Sequence, residues 1–103
     1  MPHELLKRSR FLDDYREIIL QMAELDVRAA DRFCDAVEAA LEIPASHPEI
    51  GPKAGFPNAP EARFWPLRRY PRYLIFYRVT ERTIVLLRIL DGTRNLPPLI
   101  PSE

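Results

Sequence analysis

The sequence predicts an α+β domain: an antiparallel sheet of about four strands, in the order β-α-α-β-β-β, with an N-terminal helical hairpin packed on one face. Three observations predict it. Two stretches of helical periodicity, Ser9 to Leu25 and Asp26 to Pro44, follow one another with almost no link. The run from Pro44 to Pro71 holds seven of the eleven prolines and two of the three glycines, too many for regular structure. Two apolar runs then follow, Tyr73 to Val79 and Thr83 to Leu90, built from the β-branched, aromatic and leucine residues that suit strands.

Taken along the chain, Leu5 and Leu6 ahead of Lys7 and Arg8 form a short first strand. Ser9 is the expected N-cap of the first helix. Asp13 and Asp14 are expected in its first turn, where the dipole favours carboxylates, and Phe11, Tyr15, Ile18 and Met22 recur at spacings of four, three and four. Asp26 is the expected cap of a second helix whose inner face is Ala30, Phe33, Val37 and Leu41. Pro44 is expected to end it, because its ring clashes with the preceding turn. So short a link makes the pair an antiparallel hairpin. A second strand is expected at Ala62 to Leu67, near an edge or an end, since Pro66 cannot donate to a ladder. In the third strand Tyr73, Ile75, Tyr77 and Val79 alternate with Leu74, Phe76 and Arg78, so both faces are largely apolar. That strand should be central, with one face under the helices. The fourth, Thr83 to Leu90, follows through Thr80, Glu81 and Arg82, without the usual Asn-Gly hairpin signal.

A length of 103 residues suits one domain, 1–103, and 47% apolar with 29% charged residues is a normal soluble balance. No apolar run approaches the roughly 18 residues of a membrane span. The N-terminus MPHELLKRSR lacks the apolar core of a secretory signal, so a cytoplasmic location without membrane contact is expected. One cysteine, Cys34, excludes an internal disulfide, and with only His3 and His47 beside it no metal or cofactor is expected. Cys34 should be a buried or half-buried thiol, His47 should fix its loop, and Tyr73 and Tyr77 should pack in the core with satisfied hydroxyls. Charge is divided: residues 1–51 hold six Lys/Arg against eleven Asp/Glu, residues 52–103 nine against four. That split fits either a half facing nucleic acid or an acidic partner, or an acidic helical part attracting a basic sheet part. Arg68, Arg69 and Arg72 surround Tyr70, a cluster that suits a macromolecular target or a solvated edge.

Four segments carry a family resemblance: AADRFCDAVEAAL at 29–41, HPEIG at 47–51, RYLIFYRV at 72–79 and IVLLRILDGTRNLPPLI at 84–100. Together they resemble the RelE/ParE superfamily of type II toxin-antitoxin toxins, in its ParE-like branch. Asp91 stands where that branch usually has histidine, and Asn95 where it usually has aspartate; Gly92 and Arg94 are kept. The resemblance implies a growth-inhibiting toxin and a cognate antitoxin partner. It leaves three activities open: contact inhibition of DNA gyrase, ribosome-dependent cleavage of messenger RNA, or antitoxin binding without toxicity. RNA cleavage needs a proton acceptor, a proton donor and cations on the phosphate. Aligned with the nuclease branch, Phe64 and Pro66 fall near its lysine positions, Leu74 on its strand arginine and Ile100 on its tail tyrosine. No catalytic residue is therefore assigned. Arg94, with Arg68, Arg69 and Arg72, is the expected target surface, although Arg94 is equally suited to pairing with Asp91. Tyr15, Ile19, Phe64 and Trp65 are the expected antitoxin contacts.

Overall fold

A computed structural model describes residues 2–93. Its elements are β1 (Glu4–Lys7), α1 (Ser9–Leu25), α2 (Val27–Ser46), β2 (Arg63–Pro66), β3 (Tyr73–Val79) and β4 (Thr83–Asp91), the expected α+β order. The sheet runs β1-β4-β3-β2, so β3 is central and β2, ending on Pro66, lies at an edge. β2–β3 and β3–β4 are antiparallel, but β1 lies parallel to β4, with Glu4 beside Thr83 and Lys7 beside Leu86. The sheet is thus mixed. A parallel neighbour needs a long crossover, and the helical hairpin supplies one.

Local details depart from expectation where tertiary bonds intervene. The Arg8 N–H donates to the Leu86 carbonyl, which holds Arg8 extended (φ −71°, ψ 157°) as the N-cap, without a side-chain cap bond. Ser9 is therefore already inside α1, and Asp13 and Asp14 lie beyond its first turn. Asp26 does cap α2: its Oδ1 accepts from the Arg28 N–H at 3.0 Å, while its own N–H closes α1 on the Met22 carbonyl. Pro44 does not end α2, which continues to Ser46. A proline this near the end costs few helical bonds. The carbonyl of Ala45, at the helix end, accepts from the His3 N–H at 2.8 Å.

The core has two layers. Phe11, Ile18, Phe33, Val37 and Leu41 of the helices meet Ile75, Tyr77, Ile84, Leu86 and Ile89 of the sheet. On the other face Phe76, Val85 and Leu87 are covered by Phe56 and Ala62 of the proline-rich segment, with Phe64 and Leu74 beside them. A register shift between Phe76 and Tyr77 leaves Leu87 as the extra residue of β4. Two sheet residues anchor the loop. Tyr77 Oη accepts from the Gly51 N–H (3.0 Å) and donates to the Pro48 carbonyl (2.8 Å), and Arg63 Nη1 donates to the Glu49 and Gly51 carbonyls. Burial pushes the Tyr77 phenol above its ordinary pKa, against the Gly51 hydrogen bond and the Arg63 charge, which both lower it.

Candidate functional site

Alanines 36, 39 and 40 and Ile43 recur at helical spacing along one side of α2. Their short side chains leave a gap where a larger residue would meet β2. Trp65 and Pro66 form the opposite wall, and Arg68 and Arg69 stand at the end of a groove of about 750 Å³. Both arginines are exposed, in the turn after β2, where Tyr70 sets its ring edge-on to Phe33 with centroids 5.3 Å apart. The groove's lining is mostly apolar, with the carboxylate of Asp35 and the two arginines as its charged members.

A second feature lies where β4 meets the start of β3. Arg72 Nη2 is 2.5 Å and Nε 3.2 Å from Asp91 Oδ2, and Asp91 Oδ1 accepts from the Thr93 N–H (2.9 Å) and hydroxyl (2.6 Å). These bonds, that to Arg72 first, hold the Asp91 carboxyl far below the usual carboxylate range. The Arg72 head also lies 5.5 Å from the Tyr73 ring centroid. Gly92 completes the corner: its N–H donates to the Arg72 carbonyl, and a Cβ there would fall 2.8 Å from Leu74 Cδ1.

Of the residues singled out from the sequence, the structure gathers Trp65, Arg68 and Arg69 around one groove. Arg72 is engaged with Asp91, and Arg94 lies outside the described residues, as do Asn95 and Ile100. Phe64 and Trp65 alternate across β2: Phe64 packs with Phe76 beneath the sheet, at 6.3 Å between centroids, and Trp65 with the helix-side core. Tyr15 sits in an aromatic row, 5.9 Å from Phe11 and 6.3 Å from Phe33, and Ile19 is half-buried on α1. Burial and then the neighbouring Cys34 thiol push the Tyr15 phenol well up. The alanine floor was missed in the sequence, although the spacing of small residues in ADRFCDAVEAALEI carries it. Arg88, within β4, grips Asp14 of α1, Nε to Oδ2 at 2.6 Å and Nη2 to Oδ1 at 2.8 Å, a pairing across 74 residues that the sequence does not announce. Among the described residues no cluster of ligating side chains suits a metal ion, and no helix is long and apolar enough to cross a membrane.

A family model described as the ParE toxin of the type II toxin-antitoxin system parDE matches residues 6–96. The chain belongs to the ParE toxin family. A solved structure, described as the chromosomal ParDE TA system from P. aeruginosa, has the same fold. It matches with a TM-score of 0.70 and 21% identity over 86% of this chain and 95% of that one. No curated protein sequence matches. Within the segment matched by the family model, Gly92 keeps its close contact with Leu74, and Asp91 is bonded on both oxygens.

Proposed function

We infer that this chain is the toxin of a type II module, a single cytoplasmic domain that inhibits growth by contact with DNA gyrase and is neutralised by a cognate antitoxin. One observation carries the choice of contact over cleavage: positions that align with the nuclease branch's cations hold apolar, packed side chains. Phe64 and Leu74 lie against the Phe76, Val85 and Leu87 cluster, and Pro66 closes β2. Side chains at those positions offer no proton acceptor to a ribose hydroxyl and no cation to its phosphate. The groove between α2 and β2 supports the antitoxin: a partner segment with apolar residues would fill the alanine floor against Trp65, and a carboxylate at its end would meet Arg68 and Arg69. The target surface is assigned to Arg94 and the exposed Arg68 and Arg69, with Arg72 held at its margin by Asp91.

Expression of the chain without its partner tests this reading. The expected phenotype is filamentation with an induced DNA-damage response, and ribosome-programmed messages incubated with the purified chain stay intact. Codon-phased cuts in those messages would assign the nuclease activity instead; unimpeded growth would leave an antitoxin-binding protein without toxicity.

A further inference from the structure

The two edges of the sheet are finished differently. Along β2 the proline-rich segment supplies a substitute strand: the Phe64 N–H donates to the Pro52 carbonyl at 3.0 Å, the Ala54 N–H donates to the Ala62 carbonyl at 2.8 Å, and Lys53 bridges Arg63. That edge is closed. At the other edge all four residues of β1 are exposed, with Leu5 37% and Leu6 51% accessible, while β2, β3 and β4 contain none in that class. Glu4 and Arg8 donate inward, to the Arg82 and Leu86 carbonyls. By strand alternation the N–H and C=O of Leu5 and Lys7 therefore point outward, and the described residues supply no main-chain partner for them. Charged side chains often guard such an edge. Here Lys7 leans over the sheet towards Glu38 of α2, 3.9 Å away, which leaves the edge itself open.

We propose that β1 pairs with β1 of a second copy of this chain, antiparallel about a two-fold axis through Leu6, giving a continuous eight-stranded sheet. The sequence is self-complementary in that register. Leu6 faces Leu6 of the second copy on the axis, Leu5 faces Lys7 with their outward main-chain groups exchanging hydrogen bonds, and Glu4 faces Arg8 on each side. A two-fold pairing of this kind is isologous, and because the β2 edge is already covered it closes at two copies and does not grow into a fibre.

The register supplies its own test. In a Cys34→Ala background of the full chain, Leu6→Cys puts two thiols at a non-hydrogen-bonded antiparallel pair, whose close approach suits a disulfide. Mild oxidation is expected to give a covalent dimer from Leu6→Cys and none from Leu5→Cys, whose side chain faces Lys7 on the opposite side of the sheet. Sedimentation of the unaltered chain at tens of micromolar should give twice the monomer mass. Leu6→Glu, which sets two carboxylates against each other on the axis, should weaken association on the order of tenfold or more. Since Leu6 is half exposed, circular dichroism and the thermal midpoint of Leu6→Glu should match the parent. A monomer at every concentration, or equal crosslinking at positions 5 and 6, would overturn the proposal; a partner strand from another protein would show as pairing only in its presence.

Discussion

At the residue scale, the corner at Asp91 carries a pH dependence whose sign follows from its bonds. The folded carboxyl titrates below its ordinary value of 3.8 because Arg72 and Thr93 bond its charged form. Its contribution to stability is therefore fully present above that ordinary value and is lost as pH falls from there towards the depressed folded one. Urea unfolding of the parent from pH 5 downward should show this acid-side loss, and Asp91→Asn should flatten it by being less stable than the parent near neutrality, the two converging as pH falls. Gly51 makes a different residue-scale demand. A Cβ there would sit 2.3 Å from the Phe64 carbonyl oxygen and 2.7 Å from Tyr77 Oη, so the loop or β2 must shift. Gly51→Ala should cost about 1–3 kcal/mol, the usual range for overpacking, measured by chemical denaturation.

At the element scale, β1 ends beside Leu86, so beyond that point β4 has β3 on one side and no strand on the other. α1 fills that place with a side chain: Asp14 bonds the Arg88 guanidinium at two atoms and also accepts from the Ile89 N–H at 3.2 Å. The bonds to Asp14 lift the Arg88 pKa above its ordinary value. This pair is what ties α1 to the sheet edge, with the side chains only 12% and 11% exposed. Asp14→Ala removes both of its bonds to the Arg88 guanidinium and the acceptor of the Ile89 N–H, and a loss of roughly 2 kcal/mol is expected from the hydrogen bonds to charged groups. Amide exchange should localise the change to α1 and the last residues of β4. A uniform loss of protection over the whole sheet would mean that the pair does not act as a local tie.

At the scale of the whole molecule, the acidic N-terminal half is helical and the basic half builds most of the sheet. The groove lies between α2 of the first and β2 of the second. Ala39 is an exposed floor residue, so Ala39→Phe should fill the groove without disturbing the core. Titration calorimetry with the cognate antitoxin is expected to show affinity reduced at least on the order of tenfold, from the nanomolar range that corresponds to about −12 kcal/mol. The parent's thermal midpoint should rise on adding antitoxin, and that of Ala39→Phe should rise less at the same concentration. Equal affinities would move the antitoxin off this groove, most directly onto α1 at Tyr15 and Ile19.

The sequence by itself determined the element order, the helical hairpin with its Asp26 junction, the central place of β3, and Tyr77 as a core aromatic. These rest on periodicity, capping and alternation, which are local. It also carried the family, through segments that lie in β3, β4 and α2. Tertiary structure alone decided the rest. The parallel pairing of β1 arises because two leucines in a four-residue strand do not specify a neighbour or a direction. Arg8 became the N-cap because a bond to Leu86, seventy-eight residues away, fixed its backbone. Asp14 and Arg88 were legible as charges but not as partners, and the alanines of α2 became the floor of a groove only when Trp65 was brought opposite them. Each of these depends on which residues distant in the chain come within a few ångströms, and neither spacing nor composition encodes that distance.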